Sequence, residues 1–386
     1  MSRRTFWGYA RADGSVGIRN HVAVISVMDN CNPVTRAVAG AVQGTVYLPG
    51  SFIRGQLGKD REITLNVTAG LCRNPNIAAV VVIGLEPRTT RELVQMIESS
   101  GKPVASVDIQ DAGGTIQSIA EGTKLALRFA RDASRQRREE FPLSRLHVGL
   151  ECGGSDTTSG LASNPSIGVV ADAIVAAGGT ATITETSEFF GAEELFAVRG
   201  ATPEVQRKIL DTVRNHEADI LAMGIDLRGS NPSHDNIRGG LTTIEEKALG
   251  AIAKSGTSQV VDVLAYGEVP AKTGLHLMAG PAPAVESITG LASGGCQICL
   301  FSTGVGNPIG HQVTTVVKVS GNRNTLSSMP ENIDFDVSGI LEKDESIEAV
   351  GERLLDYVVA VCSGEQTTSE LLDTRESAIS RFGISM

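Results

Sequence analysis

The sequence predicts an α/β protein built from two Rossmann-like, doubly wound domains with mainly parallel sheets. Three observations carry that expectation. Short apolar runs that read as buried parallel strands alternate with longer segments of helical apolar period. Apolar residues make up 41% of the chain and aromatics 4%, so the core is Val, Ile, Leu and Ala, and 43 glycines supply tight turns. At 386 residues the chain exceeds one ordinary core. The polar run 135–140, closed by Pro142, divides it into an N-terminal α/β domain, 1–140, and a C-terminal α/β domain, 141–386.

In the first half, Asp13-Gly14 between two extended pieces predicts a hairpin over 8–21. Residues 22–27 read as a strand, and Asp29-Asn30-Cys31-Asn32 caps a helix beginning near Pro33. A glycine-bearing loop at 55–60 precedes a helix to about Ala69. Strands at 78–84 and 104–109 flank a helix near 89–99. The turn Asp111-Ala112-Gly113-Gly114 opens a long helix ending near Arg138.

The second half opens with a strand at 146–150 that runs into Glu151-Cys152-Gly153-Gly154-Ser155-Asp156-Thr157-Thr158-Ser159-Gly160 and then a helix over 167–177. A thiol, a carboxylate, hydroxyls and two glycines thus share one strand-to-helix turn, the place where open α/β sheets bind ligands. Its glycines let the backbone approach a ligand and present N–H groups to an anion. A strand at 180–184 ends in Glu185-Thr186-Ser187-Glu188, and helices follow at 192–199 and 202–223. A long loop, 226–240, carries Arg228, His234 and Arg238. Beyond it the spacing predicts a helix to about Lys254, a strand at 260–264, a helix at 285–292 and a strand at 297–302. The glycine turn Thr303-Gly304-Val305-Gly306-Asn307-Pro308-Ile309-Gly310 precedes a strand at 314–319 and a helix at 346–362.

The net charge of −10 argues against a nucleic-acid partner, and the basic cluster 128–138 is broken by Asp132 and followed by Glu139 and Glu140. No apolar run approaches a bilayer-spanning length, and no apolar segment follows the basic start, so no membrane attachment is expected. Six cysteines scattered through a large chain point to thiols in a reducing, cytoplasmic setting. A lone Cys296-x-x-Cys299 pair inside a strand pattern is a weak zinc signal. There is no GxxxxGKS or GxxxxGKT phosphate loop, and in the 304–310 run Pro308 disturbs the helix start that a dinucleotide fingerprint needs, so no nucleotide is expected. A GxSxG nucleophile elbow is absent.

Thiolates, carboxylates and imidazoles are available at predicted strand ends, and a divalent metal would offset the acidic charge while gripping a carboxylate. Cys152, Asp156 and Cys31 are the metal-ligand candidates. His276, Glu185 and Asp156 are the acid/base candidates. Arg19, Arg228 and Arg238 are candidate carboxylate clamps, because a guanidinium binds that group through two parallel hydrogen bonds. Asn20, Ser155, Thr303 and Gly304, from the same clusters, complete the substrate-binding set. Each cluster alone is also ordinary turn chemistry, with Asp29 and Asp156 in capping positions.

The strings Gly8-Tyr9-Ala10-Arg11-Ala12-Asp13-Gly14 with Val16-Gly17-Ile18-Arg19-Asn20, Cys152-Gly153-Gly154-Ser155-Asp156 with Asn164-Pro165, and Glu185-Thr186 with Gly191-Ala192-Glu193 resemble the altronate/galactarate dehydratase family. So do Asn231-Pro232 with the 239–247 run, Gly274-Leu275-His276-Leu277-Met278, and Phe301-Ser302-Thr303-Gly304-Val305-Gly306. The resemblance implies a lyase acting on a small 2-hydroxy acid, such as a sugar acid losing water, with a divalent metal: Fe2+, or alternatively Mn2+ or Mg2+. Sulfolactate sulfo-lyase large subunits are similar, making sulfite an alternative leaving group. A non-catalytic acid-binding subunit is a third reading. A separate small subunit and a homo-oligomer are the implied assembly. Where members carry His, Cys and Cys-Glu after the second strand and after a Gly-Leu-Gly strand end, this chain has Leu48-Pro49-Gly50-Ser51-Phe52 and Gly84-Leu85-Glu86-Pro87.

Overall fold

The computed structural model describes residues 4–50, 55–226, 231–381 and 383. A hairpin of β1 (Thr5–Ala10) and β2 (Val16–Gly17) comes first, turned where Gly14 takes a φ of 82°. Then β3 (His21–Ser26), α1 (Asn32–Ala41), β4 (Thr45–Leu48), α2 (Gly58–Arg73), β5 (Ile77–Gly84), α3 (Pro87–Glu98), β6 (Val104–Asp108) and α4 (Thr115–Ala133) alternate. They make a parallel sheet of order β4-β3-β5-β6. Every residue of β5 is buried, as a strand covered by helices on both faces requires. Residue 140 falls inside β7 (Glu139–Pro142), which pairs antiparallel with β1. Phe6, Val16 and Ile18 accordingly pack into the core of the second half.

That half holds β8 (His147–Cys152), α5 (Asn164–Ala176), β9 (Thr180–Ile183), α6 (Glu193–Ala197), α7 (Pro203–Ala222), α8 (His234–Arg238), α9 (Ile244–Ala253), β10 (Val260–Leu264), β11 (Gly274–Met278), α10 (Ala284–Ser293), β12 (Ile298–Ser302), β13 (Thr315–Ser320) and β14 (Phe335–Asp336). Its sheet, β10-β11-β9-β8-β12-β13-β14, is parallel throughout. The chain leaves β8 toward β9 on one side and returns on the other at β12. The crevice outside their carboxyl ends is therefore a topological switch point, the usual ligand position in such sheets. The sequence reading assigns no strand to β4 or β11. β4 has only four residues, and the polar His276 interrupts the apolar run of β11. The 226–240 loop contains α8 and a cis Asn231-Pro232 bond. Among the described residues no helix is long and apolar enough to cross a membrane.

The two parallel sheets are locked through α2 and α10. At one end Asn74 Nδ2 donates to the carbonyls of Ala292 and Cys296, and Asn76 Nδ2 to those of Gln297 and Val313, at 2.8–2.9 Å. At the other end the C-terminal segment ties Ser380 to Glu286 and the Gly383 N–H to Asp60. Each helix runs from the carboxyl edge of its sheet back to the amino edge. Ends paired in this way place both carboxyl edges on one side of the molecule.

Arg19 is committed to the same assembly. Its guanidinium makes two 2.7 Å bonds to the Glu370 carboxylate and donates to the carbonyls of Ile18, Val361 and Glu365. Burial pushes the Glu370 carboxyl up, but the Arg19 fork outweighs it and holds the group below the usual carboxylate range. Arg19→Met should therefore cost ~3–5 kcal/mol near neutral pH in denaturant unfolding, since it strands a buried carboxylate. Because the folded-state pKa is depressed, that contribution is complete above the unfolded value of about 4.3 and is lost as pH falls through the lower folded one. The gap between variant and wild type should close in acid.

Candidate active site

The strand-to-helix turn at the switch point is built by close approach of two loops. The Gly153 N–H donates to the Ser302 carbonyl, and the N–H groups of Gly304 and Val305 both donate to the Gly154 carbonyl. Gly154 has a φ of 66°, and a Cβ there would lie 2.9 Å from Val305. Asp156 then caps the helix. One carboxylate oxygen accepts from Thr158 Oγ1 at 2.7 Å and from Ser159 N and Oγ, and the other from Asn322 Nδ2 at 2.6 Å. A Cβ on Gly304 would sit 2.1 Å from Asp156 Cγ, so only glycine fits beneath that carboxylate. A π-helical turn, Ser159–Ser163, leads into α5.

Just inside this turn lies a dry cluster of ionisable groups. Cys152 ends β8, Glu185 follows β9 in a left-handed conformation with φ 73°, and Lys254 caps the C-terminus of α9. Lys254 Nζ is 2.9 Å from Cys152 Sγ and 2.5 Å from Glu185 Oε2, and that oxygen also accepts the Cys152 N–H at 3.0 Å. The three side chains are 0–4% exposed. Burial alone would push the Lys254 ammonium down, but Cys152 and Glu185 beside it raise it above its ordinary value. Burial, reinforced by the Glu185 carboxylate, pushes the Cys152 thiol well up. Burial, again with Glu185, raises Glu151 well above the carboxylate range. Ser287 Oγ donates to Glu151 Oε1 at 2.6 Å, while Glu151 Oε2 has no partner among the described residues. Burial raises Glu185 as well, opposed by the Lys254 ammonium. A cationic Lys254 paired with an anionic Glu185, beside a neutral thiol and a neutral Glu151 carboxyl, would leave the interior without net charge. That is the least costly arrangement in a low dielectric.

A second ion pair lies further out. Glu188 follows Glu185 by three residues across a 3-10 turn, Thr186–Phe189, and therefore projects on the same side. Lys247 precedes Lys254 by seven on α9, two turns along one face. Lys247 Nζ is 3.1 Å from Glu188 Oε1 and 2.8 Å from Asn231 Oδ1. Two lysines of one helix thus face two glutamates of one turn.

The structure brings Cys152 and Glu185 into contact and sets Ser155, Asp156, Thr303 and Gly304 in the adjoining turns. Arg238 is near them, since α8 is tied to the turn by Asn236 Nδ2 on the Ser155 carbonyl, but its side chain is 73% exposed and pairs with Asp235. His276 is not at the strand end. It lies mid-strand in β11, level with Thr182 and hence Gly149, about 10 Å below Cys152 at strand rise. There it is buried, with Nδ1 against the Gly274 carbonyl, and burial lowers its pKa. Cys31 sits in the N-terminal core, where burial raises its thiol to about 11. Arg19 is occupied as described, and Asn20 bonds Arg11 and the Ala133 carbonyl. Arg228 lies outside the described residues. Sequence reasoning passed over Lys254, Lys247, Glu188, Glu151 and Asn322 as site residues. The available signal was the seven-residue spacing of the two lysines on one predicted helix.

The donor set can be tested against the divalent metal that the family resemblance implies. Cys152 and Glu185 converge, but the position between them is filled by the Lys254 ammonium. Asp156 has each oxygen committed, and Cys31 belongs to another core. Among the described residues no three His, Cys, Asp or Glu side chains are placed to hold a metal ion. The residues present do not fit that group. The ion pair itself is open to measurement: Lys254→Met should destabilise by ~3–5 kcal/mol, and Lys254→Met with Glu185→Gln should recover most of it in denaturant unfolding. A single variant as stable as the wild type would mean that Glu185 is protonated rather than paired.

Comparison with known proteins follows the two halves. Residues 8–134 match the second domain of D-galactarate dehydratase/altronate hydrolase, and residues 143–385 match the C-terminal domain of D-galactarate/altronate dehydratase. The chain is 40% identical to the (2R)-sulfolactate sulfo-lyase subunit beta of Chromohalobacter salexigens, over 99% of this chain and 98% of that one. It is 33% identical to altronate dehydratase of Bacillus subtilis, over 99% of this chain and 79% of the relative. It is 31% identical to the L-threo-forming galactarate dehydratase of Escherichia coli, over 94% and 74%. These relatives are named dehydratases and a sulfo-lyase subunit, and the chain belongs to the D-galactarate/altronate dehydratase family of lyases.

Proposed function

We propose that this chain is the large subunit of a lyase that eliminates the β-substituent of a small 2-hydroxycarboxylate. The observation that supports this reading best is the Cys152, Glu185 and Lys254 cluster at the switch point of the larger sheet. Removing a proton α to a carboxylate builds negative charge on an enediolate, so the site must supply both a base and a fixed positive charge. Glu185 takes the α-proton. The Lys254 ammonium offsets the charge that develops on the carboxylate oxygens. The Cα–Cβ double bond then forms as the Cβ–leaving group bond breaks, its electron pair departing with the leaving group. Protonation of the enol at Cβ gives a 2-keto acid. The protonated Cys152 thiol is the nearest proton donor for departing hydroxide. His276 has no part in this reading.

Water is the leaving group in the dehydratase form of the proposal. Sulfite is the second reading. It is favoured by the match to a sulfo-lyase subunit across nearly the whole of both chains, where the dehydratase relatives are longer. The same elimination serves both, since a sulfonate on Cβ leaves with its bonding pair as hydroxide does. A separate small subunit is part of the proposal, supported by that relative being named a subunit beta.

The test is turnover by the full chain, alone and with a small subunit encoded beside it, on a panel of sugar acids and of a 3-sulfo-2-hydroxy acid. Released sulfite and 2-keto acid are measured separately. One of the two is expected to appear, and Glu185→Gln or Lys254→Met should lower kcat/KM by at least ~100-fold with the fold intact. Full activity in both variants would place the chemistry elsewhere. No turnover on either class, with or without the partner, would favour an acid-binding subunit.

A further inference from the structure

We infer that the cleft between the 155–161 turn and α9 holds the anionic end of a hydroxy acid, with Lys247 as its anchor. The cleft has a volume of about 270 Å3 and is walled by Ser155, Thr157, Asn164, Leu241, Lys247 and Leu249. Lys247 is only 11% exposed at its side chain, and its ammonium gives two protons to Glu188 and Asn231. An ammonium has three to give, and the third has no acceptor among the described residues. The Ser155 hydroxyl, on the opposite wall, also donates to none of them. Both carboxylates that border the cleft are already satisfied. Asp156 takes its four donors, and Glu246 accepts from the Thr242 N–H and, at 2.5 Å, from its hydroxyl.

An unused acceptor completes the match. Asn164 Oδ1, on a residue of the cleft wall, is buried and has no hydrogen-bond partner among the described residues. Asn164 is fixed by its own amide, which donates to the Gly250 carbonyl at 2.8 Å. Spare donors on Lys247 and Ser155, with a spare acceptor on Asn164, fit a ligand that carries both an anionic oxygen group and a hydroxyl. A small hydroxy acid is that ligand. A carboxylate and a sulfonate present the same anionic oxygens, so either end of a sulfonated hydroxy acid fits the anchor.

The assignment rests on the lyase reading for the identity of the ligand, but its test does not need turnover. Glycolate is a 2-hydroxycarboxylate with no β-carbon, so nothing can be eliminated from it. Its binding to the full chain is measured by calorimetry beside that of 2-hydroxyethanesulfonate, which has a hydroxyl and a sulfonate but no carboxylate. At least one probe should bind. Lys247→Met should weaken binding by about tenfold or more, as loss of a charge-assisted hydrogen bond does, and Lys247→Arg should restore part of it. Ser155→Ala, a smaller change that leaves the Lys247 pair intact, should weaken it several-fold. The probe that responds to Lys247→Met tells which anion the anchor takes. Unchanged binding in a folded Lys247→Met protein, or no binding of either probe by the wild type, overturns the assignment. Binding without turnover on any acid would leave the anchor standing and remove the lyase reading instead.

Discussion

One contact organises the functional end of this molecule: the Lys254 ammonium held between the Cys152 sulfur and the Glu185 carboxylate in a place that water does not reach. Remove the cation and a carboxylate is left in a low-dielectric interior, which costs several kcal/mol and is avoided in folded proteins. The contact therefore requires β8, the turn after β9 and the end of α9 to meet at one point. The backbone is shaped to allow it. A Cβ on Gly168 of α5 would lie 2.4 Å from the Ala253 carbonyl, so the absence of a side chain there lets the end of α9 come close enough to deliver Lys254.

The two ion pairs along α9 lie at different depths. The inner pair is sealed beneath the turn, whereas Lys247 of the outer pair reaches the cleft. The turn between them is rigid for a stated reason. Asp156 holds the helix start and Asn322 holds Asp156, while Gly304 leaves room underneath. Asp156 thus reads as a structural member of the turn, with both carboxylate oxygens spoken for.

Family membership and site geometry constrain different things here. The relatives share one type of bond cleavage but differ in leaving group, and a common elimination needs a base and a fixed cation more than it needs any particular leaving-group pocket. In the proposed elimination, the convergent Lys254, Glu185 and Cys152 supply those parts.

The sequence by itself determined the alternation of strands and helices, the parallel sheets and the turn on which the site is built. Those follow from local periodicity and turn chemistry, which a chain carries within a dozen residues. Cys152 and Glu185 were legible as candidates for the same reason, since both stand at the end of an apolar strand run. β4, with four residues, and β11, with His276 at its centre, were not, because such runs gain their identity from the strands beside them. The roles of individual polar groups were decided only by tertiary structure. Arg19 reads as a clamp until Glu370, 351 residues on, takes its fork. His276 reads as a base until the register of β11 sets it below the edge of the sheet. Lys254 reads as a helix end until it meets Glu185 and Cys152, 69 and 102 residues away. A buried charge is defined by its counter-charge, and contacts over such separations leave no periodic trace in the sequence.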